Sequence, residues 1–264
     1  MTLSRCTASL SRRTASLCTA LLLATGALAG CGGDDEPDAK ATSPAAGAPS
    51  SSGPADFGCM TEDGDPVETK QGAITFKSSE GDVTDGYLAG TGTTGVVLAH
   101  QRGGSVCEWK PYADRLVEAG YQVLAVNSMD KDVAEIMGAA ELLKSKGARK
   151  LVLMGASKGG TAVLEAAVEL APQPVVVVSL SAPETYGTMD ASAAVPKLTS
   201  AALFMAAVDD ISFAQAAQYL HKGAAEAKDK RLVIDKNGAA HGVLLFDHEQ
   251  NWTTVEKFVA EHTK

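Results

Sequence analysis

The stretch whose reading decides the fold is Leu151-Val152-Leu153-Met154-Gly155-Ala156-Ser157-Lys158-Gly159-Gly160. Four apolar residues of strand character run into a Gly-x-Ser-x-Gly turn, and an alanine-rich segment with helical spacing follows to about Leu170. Strand, tight turn and helix in that order hold a serine at a strained tip, its hydroxyl clear of the sheet and its amide near a helix N-terminus. Flanking glycines let other backbone pass close by. The five-residue spacing alone is a weak signal, so its weight depends on these flanks and on what the rest of the chain supplies.

Outward from the turn, apolar runs alternate with helical periodicity. On the N-terminal side, residues 72–77 and 83–88 read as an antiparallel strand pair. Residues 95–99 are continuously apolar, as a strand buried on both faces should be, and end in the Gly-rich loop His100-Gln101-Arg102-Gly103-Gly104. Trp109, Tyr112 and Leu116 share one helical face that stops at Gly120, residues 121–126 form the next strand, and Val133, Ile136, Met137, Ala140 and Leu143 mark a second helix closed by Gly147. On the C-terminal side come a strand at 175–180, a strand at 202–208 leading into Asp209-Asp210, a helix at 213–220, a strand at 232–234, the small-residue loop Asn237-Gly238-Ala239-Ala240-His241-Gly242 and a terminal helix at 252–259. This alternation predicts an α/β fold, a mostly parallel central sheet with helices on both faces. The one insertion, 184–199, has about sixteen residues; it is too short for a cap domain, which predicts an open site with almost no lid.

The chain has 264 residues, 45% hydrophobic and 21% charged, the balance of a soluble globular protein. Residues 1–30 stand apart. Arg5, Arg12 and Arg13 precede an apolar segment at 17–28, and Leu28-Ala29-Gly30-Cys31 closes it with small residues, the layout of a secretory signal. The apolar run is shorter than the ~20 residues a membrane-spanning helix needs. This ending resembles the bacterial lipobox, which implies lipidation of Cys31; a plain signal peptide cleaved nearby is the alternative. Residues 31–55, rich in Ala, Gly, Ser, Pro and Asp, read as a flexible tether, and 56–264 as the folded domain.

Loss of residues 1–30 moves the formal charge from −9 to −12. So acidic a domain has no electrostatic case for binding nucleic acid, and its membrane contact is expected through the lipid alone. Processing also leaves Cys59 and Cys107, 48 positions apart, as the one unmodified pair in an oxidising compartment, which predicts a disulfide. Two free thiols are the alternative. The spacing suits no zinc site, and no metal is expected.

The loop at 100–104, Gly155-Ala156-Ser157-Lys158-Gly159, the strand with Asp209-Asp210, and Ala240-His241-Gly242 before a final helix together resemble the α/β-hydrolase fold family, over about residues 70–264. The set is most similar to capless esterases of the dienelactone-hydrolase type, with serine where those commonly carry cysteine. The resemblance implies Ser157 as nucleophile, His241 as base, and Asp210 as the acid that orients it, with Asp209 as the alternative acid. It implies oxyanion donors at the backbone amides of Lys158 and Arg102, with Gln101 as the near alternative because it replaces the glycine usual after the loop histidine. His100 is expected to hold that loop. His221, His248 and His262, and the Lys158 side chain, are expected to face solvent; a Lys158 side chain that favours anionic substrates is the other reading. The expected function is an exported, membrane-anchored serine hydrolase cleaving carboxylic esters of small molecules through an acyl-enzyme, with no cofactor. The same triad also serves peptidases, thioesterases and acyltransferases, and a non-catalytic binding lipoprotein on this scaffold is the alternative from another class. No Gly-x-Gly-x-x-Gly or Walker-type loop follows the first parallel strand, which argues against a nucleotide or redox protein.

Overall fold

The computed structural model describes residues 56–264. The signal segment, the tether and Cys31 lie outside the described residues.

Two strands, β1 (Ala73–Lys77) and β2 (Val83–Ala89), open the fold as an antiparallel pair. β3 (Thr94–Ala99) leads to α1 (Val106–Glu118), β4 (Gln122–Asn127) to α2 (Asp132–Ser145), and β5 (Lys150–Ala156) to α3 (Lys158–Glu169). After β6 (Val176–Leu180) the insertion carries two two-residue strands, β7 (Thr185–Tyr186) and β8 (Met189–Asp190), and the single turn α4 (Ala191–Ala194). β9 (Ala201–Ala207), α5 (Ile211–Gly223), β10 (Lys230–Asp235) and α6 (Glu249–Thr263) complete the chain.

The eight long strands form one sheet in the order β1-β2-β4-β3-β5-β6-β9-β10, in which β2 alone runs against its neighbours. Side chains alternate between the two faces of a strand, and both faces here are dry. Val97 and Ala99 of β3 with Leu151 and Leu153 of β5 pack under α2, α3 and α5. Val96, Leu98, Val152 and Met154 pack against α1 and α6. That double burial is why these strands read as continuous apolar runs. On the α1/α6 side, Trp109, Tyr112, Phe246 and Trp252 meet edge to face or tilted, with ring centres 4.8–6.4 Å apart.

Strand order reverses at β3, which lies between β4 and β5. Crevices outside the carboxyl ends of strands at such a reversal are where open α/β sheets place their ligands. The insertion reaches this edge through Tyr186, which lines a cleft beside the loop at 100–104. It folds down on α3, with Thr161 Oγ1 donating to the Pro183 carbonyl (2.9 Å), Asp190 N–H donating to Glu165 (2.7 Å), and Met189, Ala191, Val195 and Leu198 buried. No large cap is present among the described residues.

Candidate active site

Ser157 is the single residue between β5 and α3, with φ 49° and ψ −115°. For a non-glycine residue that is a strained conformation, and it persists because its neighbours leave no other path. Its N–H donates to the Leu180 carbonyl (2.7 Å) and its C=O accepts from Thr161 N–H (3.1 Å). The flanking glycines are needed for close approach: a Cβ on Gly155 would collide with the Gly159 carbonyl, and one on Gly159 with the Ala99 carbonyl at the end of β3. Ser157 occupies the N-cap of α3, a position where serine ordinarily bonds the helix's free amides. Here no side-chain cap bond forms, and the hydroxyl is left for other use.

The β3–β5 register pairs Ala99 with Gly155, so the loop at 100–104 stands beside the serine. Both backbone groups of Gln101 are held. Its N–H donates to Glu108 Oε1 (2.8 Å), and its C=O accepts from Gly104 N–H (3.0 Å) and His100 Nδ1 (2.7 Å). Burial, reinforced by the Lys158 charge, pushes the His100 pKa down despite the pull of the Gln101 carbonyl, so a neutral ring with its proton on Nδ1 fits both facts. His100 thus holds the loop, as expected. The Gln101 amide is already engaged, whereas the amides of Arg102 and Lys158 have no acceptor among the described residues.

His241 Nδ1 lies 2.7 Å from Asp210 Oδ2, and the Phe213 ring meets the imidazole edge to face with centres 4.4 Å apart. Asp210 is the N-cap residue of α5, yet its carboxylate makes no cap bond and turns to His241 instead. Asp209 is exposed, and its contribution is backbone: its N–H donates to the Gly238 carbonyl (3.1 Å), tying the two loops together. Of the two aspartates, the structure brings only Asp210 to the imidazole. No hydrogen bond joins the Ser157 hydroxyl to His241 in this arrangement.

No family profile and no curated protein matches the chain by sequence. Solved structures do match in three dimensions. An esterase from Pyrococcus furiosus superposes with a TM-score of 0.63 at 13% identity, over 73% of this chain and 92% of that one. A dienelactone hydrolase from Anabaena variabilis gives 0.57 at 21%, over 72% and 97%, and an esterase from a Rhodococcus species 0.59 at 14%, over 72% and 99%. The chain has the α/β-hydrolase fold.

Within the hydrolase fold, Ser181 is a residue that the sequence reading missed. It follows β6, is fully buried at φ 45°, and its Oγ accepts the Gly242 N–H (3.1 Å) while its own N–H donates to Met205 (2.7 Å). It therefore links the end of the sheet to the loop that carries His241. Its only sequence trace is a small polar residue between a strand and Ala182-Pro183, which no motif distinguishes.

Two expectations are corrected. The Lys158 side chain does not reach solvent; it is buried, with Nζ 2.8 Å from Asp132 Oδ1 of α2, because it projects from the first turn of a helix packed into the fold. The three other histidines do not simply face solvent either. His248 binds buried Asp235 (2.6 Å), His262 reaches Asp229 (3.2 Å) and stacks edge-on against Phe258, and His221 packs against Phe204. Burial pushes the Asp235 pKa up, but hydrogen bonds from His248, Asn251 and Asn237 outweigh it and hold the group below its ordinary value.

A cleft of about 380 Å³ adjoins the loop on its β4 side, lined by His100, Arg102, Ser128, Asp132, Lys158 and Tyr186 among others. A second of about 570 Å³ continues past Tyr186 along the start of α2. The Cys59–Cys107 disulfide, with Cα atoms 5.1 Å apart, fastens the segment ahead of β1 to the first turn of α1, directly behind the loop.

Proposed function

We propose that this protein is an exported serine hydrolase of small carboxylic esters, held to the extracytoplasmic face of the membrane by lipid on Cys31. The observation that carries the hydrolase reading is a strained serine, freed from its capping role, on the same sheet edge as a histidine already bonded to a buried-edge aspartate. That the structural neighbours include esterases and a dienelactone hydrolase supports the choice of ester.

In this reading Ser157 Oγ attacks the ester carbonyl as His241 Nε2 takes its proton. Asp210 keeps the Nδ1–H tautomer and stabilises the imidazolium that forms. The Ser157–His241 hydrogen bond closes when substrate arrives, as catalytic bonds commonly do. The tetrahedral oxyanion is met by the Lys158 and Arg102 amides, since Gln101 has already spent its own; losing one such donor typically costs on the order of 3 kcal/mol. His241 then protonates the leaving alcohol, and water, activated by the same base, releases the acid from Ser157.

A fluorophosphonate probe with peptide mapping tests the reading. Labelling of Ser157 in the folded protein, absent from Ser157→Ala, is expected. No labelling together with no turnover of short p-nitrophenyl esters favours a binding role on the same scaffold. Anchoring is tested separately: Cys31→Ser should move the protein from the membrane to the soluble exported fraction, and an unchanged distribution would reject the anchor.

A further inference from the structure

The least explained group near the site is Glu108. It sits in the first turn of α1, one residue after the disulfide, under a helix start capped by Ser105 Oγ on Cys107 N–H (3.2 Å). Its carboxylate lies inside the loop at 100–104 and touches it at both ends: Oε1 takes the Gln101 N–H, and a Cβ on Gly104 would collide with Oε2. With Gln101 O held by His100 and Gly104, both backbone groups of Gln101 are engaged, and only the N–H remains free in the peptide that joins it to Arg102. The next amide along is that of Arg102, the proposed oxyanion donor.

We propose that Glu108 is a positioning residue of this site: by accepting the Gln101 N–H it sets the direction of the Arg102 amide, and it holds the loop firmly when ionised and loosely when protonated. A carboxylate accepts a hydrogen bond roughly twice as strongly as a neutral carboxyl oxygen does. A helix N-terminus would normally keep such a group ionised, but burial here raises its pKa to about 7, against the opposing pull of the Gln101 amide and the Lys158 charge. The other charged and titratable groups of this region are Asp132 of α2, paired with Lys158, neutral His100 at the end of β3, and exposed Arg102 in the loop. The positively charged partner that could keep Glu108 ionised to low pH, Lys158, is already committed to Asp132.

The kinetic consequence rests on the ester-hydrolase reading; the structural one does not. In 15N-labelled protein the Gln101 amide signal should titrate with a midpoint near pH 7, and Glu108→Gln should abolish that titration while leaving the rest of the spectrum in place. On p-nitrophenyl acetate, Glu108→Ala should lower kcat by about tenfold with KM within about twofold, part of the 10²–10³ that loss of a whole donor costs. Glu108→Gln, which keeps a neutral and weaker acceptor, should recover part of that loss. A Gln101 amide that does not respond between pH 5 and 9, or a folded Glu108→Ala protein with wild-type kcat, overturns the proposal. If no variant hydrolyses any ester, the esterase reading fails and the amide titration alone decides the role of Glu108.

Discussion

Ser157 and Asp210 each stand at a helix N-cap, and each withholds its side chain from the helix. An unused cap forgoes about 1 kcal/mol of local stability, a cost that makes sense where the oxygen has another partner. For Asp210 that partner is His241. Asp210→Asn should therefore lower kcat by about 10³–10⁴ through the wrong imidazole tautomer, whereas Asp209→Asn should stay within about twofold, both read by steady-state kinetics at neutral pH. Equal losses in the two variants would reject the assignment. The sequence favours Asp210 but leaves Asp209 open, because a one-residue shift at the end of β9 exchanges them. The burial of Lys158 was hidden, since its partner Asp132 is 26 residues earlier, on another helix.

At the scale of elements, much was readable because the strands carry unbroken apolar runs and the helices carry one-sided stripes. β3, β5, β6 and β9 announce themselves by double burial, and α1 by Trp109, Tyr112 and Leu116. The β7/β8 hairpin and α4 were not readable, because two-residue strands and a single helical turn have no periodicity to detect. The junction of β3, β5 and α3 depends on the smallness of Gly159, whose place beside the Ala99 and His100 carbonyls admits no methyl group. Because the atoms in the way are backbone, Gly159→Ala should push α3 away from β3 and destabilise by about 1–3 kcal/mol, the usual range for overpacking. Urea denaturation would check this; a wild-type midpoint would show that the elbow tolerates a wider gap. The Cys59–Cys107 crosslink works at the same scale, and in the chain-entropy view contributes on the order of 4 kcal/mol.

For the whole molecule, two carboxyls set opposite limits on stability. Glu108 has its pKa raised from 4.5 to about 7 in the fold, so the unfolded chain binds fewer protons between those values, and stability falls as pH rises through that window. Asp235, held below its ordinary value, contributes stability that is present above about pH 4 and lost as pH drops further. Thermal unfolding should thus show a decline in Tm from pH 4.5 to pH 8 that is smaller in Glu108→Gln, and a separate loss in strong acid that persists in it. A Glu108→Gln protein with an undiminished decline would place the cause elsewhere. Strand order, too, emerges only at this scale: the sequence implies a parallel sheet, but that β3 lies between β4 and β5, and so brings the loop at 100–104 beside Ser157, is a long-range outcome.

The central claim, that Ser157 becomes acylated, is tested most directly by rapid acid quench during turnover of p-nitrophenyl acetate, followed by mass spectrometry of the peptides. The account predicts one acetyl group on the peptide containing Ser157 in wild type and none in Ser157→Ala. Steady turnover with that peptide unmodified, or with the acetyl on another residue, would contradict it.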